Sequence, residues 1–481
     1  MQLSHSKIWA WASLALLVGV YLDISLNILS RDRAWISAET VAAEGYILSD
    51  GIRLHRRDLL RALNTDVFEH GPRVSRPLSS LFEIVDTKFR AWSWRFMEPH
   101  ASFSLTLIFS LGLTPLLLFL LLRQLGVPTV LARLVVCLYL ASPGCLSCVA
   151  LLFRPSKAMT NFSLALCLYL ASFLEGERLD FRYIGFLLLM FFSFFWDETA
   201  LLLYPAVVVL FPRVIGGRAR IYAYLTLPAF TALFYFVLLP WLEFRAGFGL
   251  PKFEQFSVLS NPQFHGTRAF LSNLLANTRL FFTGSLGIGD PIRLRGWGKW
   301  LILADFGALL GLVAASWNGQ TSRQAPDSTW RLFVFLLLLC VFHTLLMAMA
   351  SPQCSPIFWY GCYWSLLFAV LVALTGQLFI STERFQFALV LVILSSLYLF
   401  PFMSDTARDY FYRDSLAAKI ERQTRIKSSL QWFDTAPRES RGFAAITHDY
   451  WEDVLHRRRR PTKTLPRELA YLSVELAPYE N

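Results

Sequence analysis

Residues 102–122 read SFSLTLIFSLGLTPLLLFLLL, a run without a single charge. About 20 apolar residues match the roughly 30 Å hydrocarbon core of a bilayer. No water is present there to satisfy backbone N–H and C=O groups, so the run must satisfy its own, as a helix does. Residues 221–241, 357–380 and 385–403 are also uncharged. Working outward from these runs, hydropathy places eleven spans near 8–29, 102–122, 126–142, 157–174, 183–196, 199–212, 221–243, 298–316, 332–350, 357–380 and 385–403. A chain of 481 residues could hold several soluble domains, but 55% hydrophobic and 16% charged content argues against that. The 42 Phe and 15 Trp suit lipid-facing surfaces and interfacial belts. The expected fold class is therefore an all-α integral membrane protein of about 11 transmembrane helices. Residues 1–403 form its membrane domain and residues 404–481 a C-terminal tail. The first run continues past the usual length of a signal-peptide core and reads as an uncleaved anchor.

Short-loop Lys and Arg set the orientation. With the N-terminus inside, the inner segments carry Lys7, Arg123, Arg178, Arg182, Arg213, Arg218, Arg220, Arg323, Arg331 and Arg384. The short outer segments carry only Arg154 and Lys157. The long outer loop 244–297 adds six more basic residues outside. The sizeable extramembrane pieces, 30–101, 244–297 and the tail, then share one face, where chemistry or binding is expected. Because basic loops near a membrane also meet anionic headgroups, the net charge of +11 is no signal for nucleic acid.

The histidines are scattered and no metal-ligand motif appears, which favours a metal-independent reaction without a cofactor. Cys137, Cys167, Cys340 and Cys362 fall within spans as packing residues. Cys145 and Cys148 lie on an outer connection without the helix setting of a redox motif, and a disulfide involving Cys145, Cys148 or Cys354 stays open.

The first outer loop, 30–101, carries most of the candidate chemistry. Its second half, 77–97, opens with Pro77 at a first helical position and repeats Leu78, Leu81, Phe82, Val85, Phe89, Trp92 and Phe96 at three- and four-residue intervals. With Lys88, Arg90 and Arg95, this amphipathic helix suits the headgroup region. The loop also holds acids, among them Asp32, Asp50 and Asp58, that could take a proton from an acceptor hydroxyl. Arg73 and Arg76 stand just before the helix, where guanidinium forks and a helix N-terminus favour phosphate oxygens. A third feature, Trp196-Asp197-Glu198-Thr199, puts two acids between two short apolar segments. They cost several kcal/mol there unless hydrated or paired. The interruption reads as either two short helices or one re-entrant hairpin.

This constellation resembles the GT-C superfamily of polytopic glycosyltransferases. Arg76-Pro77-Leu78 is similar to the G-R-P-L segment of bacterial O-antigen glucosyltransferase-like members. Asp197-Glu198 followed by Tyr204-Pro205 looks like their acidic turn and downstream proline. The resemblance implies sugar transfer from a polyprenyl-phosphate donor to an outer-face glycan, lipid or protein acceptor, in the bacterial inner membrane; an endoplasmic reticulum membrane fits the same physics. Asp50 is the first choice as catalytic base, because it lies far enough past the first span to fold back over the membrane surface and Ser49 and Gly51 beside it suit an exposed turn. Asp32, directly after the first span where the resembled family often places its acid, is the second. Arg76 and Arg73 would bind the donor phosphate, and Asp197 and Glu198 would line the cavity. A lipid or solute transporter, or a non-catalytic assembly subunit, are the alternatives.

Overall fold

The computed structural model describes residues 5–29, 76–93, 104–142, 155–174, 176–197, 203–245 and 362–379. It also describes residues 53–56, 58, 59, 96, 145, 200, 271, 272, 275, 386, 387 and 389–394. The described residues are all-helical, without a strand. The expected spans at 298–316 and 332–350, most of the outer loop 244–297 and the tail lie outside them.

In chain order the helices are α1 (His5–Leu29), α2 (Pro77–Ser93), α3 (Leu105–Gln124), α4 (Thr129–Ala141), α5 (Pro155–Ala171), α6 (Phe181–Ser193), α7 (Leu203–Leu210), α8 (Arg218–Leu233, continued through Phe234–Leu238 and Leu239–Arg245) and α9 (Cys362–Phe379). Two of them, α1 and α3, are long and apolar enough to cross a membrane. The middle is α4, whose residues from Leu134 to Ala141 are all buried; α1, α3 and α9 pack around it. Next to this group, α5 lies against α2, α3, α6 and α7. Cys137 and Cys167 are buried packing residues, as expected. Cys145 is also a buried thiol.

The helices begin and end where local chemistry dictates. The Ser104 hydroxyl accepts the Leu107 N–H at the start of α3, and the Asp180 carboxylate accepts the Tyr183 N–H at the start of α6. α3 closes on Gly126, at φ 81°, with Val127 N–H bonded to Leu122 O and Gly126 N–H to Arg123 O. This paired closure uses glycine's freedom in the left-handed region.

Two helices widen into π-turns, at Ile108–Leu113 in α3 and Phe234–Leu238 in α8. Each ends on a residue immediately before a proline: Thr114 N–H reaches back to Phe109 O, and Leu239 N–H to Phe234 O. A proline inside a helix lacks an N–H and its ring collides with the carbonyl four residues earlier. Widening the preceding turn relieves Pro115 of that collision.

Connections alternate in direction along the bundle. At one end Asp86 meets Leu105, and Lys157 meets Asp197. At the other end Gln377 donates to Leu125 O, and Arg220 to Arg178 O. At the acidic interruption α6 stops at Ser193, residues 194–196 turn, and α7 covers Leu203–Leu210.

Helix α2 departs from expectation. Lys88 and Arg90, expected among headgroups, are buried, as are Ser80, Asp86, Thr87 and Ser93. The reason is paired charge. Lys88 Nζ lies 2.6 Å from Asp58 Oδ2 and donates to Arg53 O at 2.7 Å. Arg90 Nε sits 3.9 Å from Asp86 Oδ2 and its Nη2 donates to Thr87 Oγ1 at 3.1 Å. Trp92 stays half exposed. Rather than floating on a surface, α2 is docked into the bundle.

Candidate functional site: a buried carboxylate between two cations

Asp197 stands at the turn between α6 and α7, with a side chain only 1% exposed. A lone carboxylate at such a place carries a large desolvation cost, and it ionises only with partners. Two cations meet its Oδ2. Lys157 Nζ makes a short hydrogen-bonded ion pair with it, and Arg76 Nη1 lies 3.4 Å away. Each of the three residues comes from a different part of the chain. Lys157 sits in the first turn of α5, Arg76 immediately precedes α2, and Asp197 follows the turn after α6.

Burial grades across the cluster. The Lys157 side chain is 2% exposed and that of Arg76 is 22% exposed. The approach from outside therefore runs over the guanidinium. Lys157 brings its charge to the N-terminal end of a 17-residue helix, whose dipole also favours an anion. Beside the charges runs an aromatic wall. The Phe82 ring meets Trp196 edge-on at 5.8 Å and Phe109 at 5.6 Å, and Phe109 meets Phe162 at 4.7 Å. The π-turn of α3 carries Phe109 in this wall.

One turn below Lys157, Asn161 Nδ2 lies 3.5 Å from the Tyr139 hydroxyl of α4, so a polar layer continues inward from the ion cluster. Around the cluster, Asp86 holds α2 to the start of α3. Its carboxylate accepts the Leu105 N–H at 2.5 Å, the Thr106 N–H at 3.3 Å and the Thr106 hydroxyl at 2.7 Å. Asp58 accepts the His55 N–H at 2.7 Å and fixes Lys88. These contacts hold α2, and with it Arg76, in one position against α5.

Of the residues expected from sequence, Arg76 and Asp197 come together. Asp32, Asp50, Arg73 and Glu198 lie outside the described residues. Lys157 was not among the candidates, having been counted as loop charge that sets orientation. The signal available was a single Lys in the first turn of an otherwise apolar span. Among the described residues no group of three His, Cys, Asp or Glu side chains could hold a metal ion. Chemically, the arrangement neutralises one buried carboxylate with two cations gathered on the same oxygen. No protein-family model, curated protein or solved structure matches this chain.

Proposed function

We propose that the chain is a polytopic membrane glycosyltransferase that moves a sugar from a polyprenyl-phosphate donor to an acceptor at the outer face. The reading includes about eleven spans, a cytoplasmic N-terminus and a bacterial inner membrane. The observation that carries it is the Arg76–Asp197–Lys157 cluster at one end of an apolar helical bundle. A polyprenyl phosphate cannot leave the bilayer. An enzyme that uses one needs cations for its phosphate at the membrane surface, an apolar approach for its chain and a base for the acceptor.

In this reading Arg76 binds the phosphate by charge-assisted hydrogen bonds, as does Lys157. Asp197 keeps both cations in place before the donor arrives and orients them afterwards. The Phe82–Trp196–Phe109 wall offers apolar surface to the isoprenoid. Asp50 takes the acceptor proton, with Asp32 as the second choice. As the phosphate leaves the sugar's anomeric carbon, the two cations stabilise the growing negative charge on its oxygens, the kind of electrostatic assistance that dominates many active sites.

The test is transfer by the purified chain from a panel of polyprenyl-phosphate sugars. Turnover with at least one donor supports the reading. No turnover with any donor, in a sample of native helix content, rejects it.

A further inference from the structure

At the end of the bundle opposite Asp197, two segments close on each other. The Arg220 side chain is 1% exposed. Its Nε donates to Arg178 O at 2.8 Å, and its Cζ sits 4.5 Å over the Tyr183 ring. Nη2 lies 3.9 Å from Asp180 Oδ1, and Nη1 has no hydrogen-bond partner. Gly176, at φ 114°, covers this guanidinium; a Cβ there would stand 3.8 Å from Nη2. Gly217 touches Glu177 so closely that a Cβ would come within 2.5 Å of the Glu177 carbonyl oxygen. The starts of α6 and α8 are thereby held side by side, and α8 begins without a side-chain cap.

The surface here is basic. Arg178, Arg182, Arg213 and Arg218 are exposed, facing Glu177 and Asp180 as the acids of the same described segments. Immediately next to it the surface becomes apolar. On α6, Phe181, Ile184, Leu188 and Phe192 recur on one face and are all exposed. On α8, Tyr222, Leu225 and Leu233 share one face and are exposed. Two neighbouring apolar stripes of this size mark a surface that water does not cover. Exposed arginines at their rim place positive charge at headgroup level.

We infer that the collar of Arg178, Arg182 and Arg218 binds the phosphate headgroup of an anionic phospholipid, whose acyl chains lie along the α6 and α8 stripes. Charge complementarity names the occupant: the collar is cationic, the stripes are apolar, and an anionic phospholipid carries both matching parts in one molecule. This inference rests on the membrane reading but not on the proposed chemistry, because the collar lies at the opposite end from Asp197.

The experiment uses the full chain, purified in mild detergent and offered equal amounts of phosphatidylglycerol and phosphatidylcholine. Lipid retained is read by native mass spectrometry. Wild type is expected to retain phosphatidylglycerol in preference. The R178Q/R182Q/R218Q variant is expected to lose that preference, by roughly five-fold for each arginine removed. Charge removal at the other end, in R53Q/R56Q, should leave it unchanged. Equal loss in both variants, or no preference in wild type, overturns the inference. Inorganic phosphate competing fully with the lipid overturns it too, since the acyl chains would then contribute nothing. Alkaline extraction of membranes separates the two failures: a wild-type chain that washes off overturns the membrane reading itself. One that stays but shows no lipid preference overturns only the lipid site.

Discussion

Asp197 is the residue on which the site turns, and its neighbours show what each change should do. Removing one partner of a buried pair strands the other charge and costs about 3–5 kcal/mol. Lys157→Ala is therefore expected to lower the denaturation midpoint as well as donor affinity, read by thermal unfolding beside a donor titration. Arg76 is the more exposed cation, at 22%. Arg76→Ala should chiefly weaken donor binding, with a smaller effect on folding. Asp50→Asn should lower turnover by about 10²–10⁴-fold, the usual loss for a positioned base, while helix content stays native. Wild-type turnover in that variant moves the role to Asp32. Arg76 was legible as a candidate because a guanidinium just before a helix suits phosphate oxygens, and Asp197 because an acid between two apolar segments demands a partner. That each partners the other was not legible, because they lie far apart in the chain and nothing in either segment encodes the contact. Lys157 escaped notice for a related reason. A basic residue at a span boundary normally snorkels into water, and only the fold shows this one turned inward onto Asp197.

At the scale of the element, helix positions followed from apolar runs, and most ends fall within a few residues of expectation. For example, α5 was read at 157–174 and stands at Pro155–Ala171, and α9 was read at 357–380 and stands at Cys362–Phe379. Periodicity alone could not place α2. An amphipathic helix with basic residues looks the same whether its charges meet headgroups or buried acids, and here Asp58 and Asp86 decide the matter. Asp86 joins α2 to α3 through three hydrogen bonds. Asp86→Ala should cost about 1–2 kcal/mol for the lost cap, seen as a lower unfolding midpoint. Wild-type stability in Asp86→Ala would remove this staple from the account. At the far end, Gly217→Ala forces a Cβ against the Glu177 carbonyl and should destabilise the α6–α8 junction without altering the ion cluster. Donor affinity that survives the stability loss would show the two ends to be separate.

Across the whole molecule, α3 to α8 run alternately up and down, and α2 lies against the end where α3 begins. The Asp197 cluster lies at one end and the Arg220 junction at the other. Only 17% of Lys7–Ile24 is buried, and Ile8, Trp11, Val18 and Leu22 of α1 face outward. An exposed surface of this kind is stable in lipid and costly in water. Single cysteines introduced as Arg56→Cys and Arg178→Cys should therefore label differently in intact cells. An impermeant thiol reagent is expected to reach position 56 and not position 178; the reverse pattern would invert the orientation. The central claim is that this bundle uses the paired cations at Asp197 to handle a lipid phosphate. Its most direct measurement is sugar transfer from polyprenyl-phosphate donors by purified wild type, Lys157→Ala and Arg76→Ala, each checked for native helix content. The account predicts turnover by wild type and a raised donor KM or lost turnover in both variants. Transfer that is absent in folded wild type, or unchanged when both cations are removed, would contradict it.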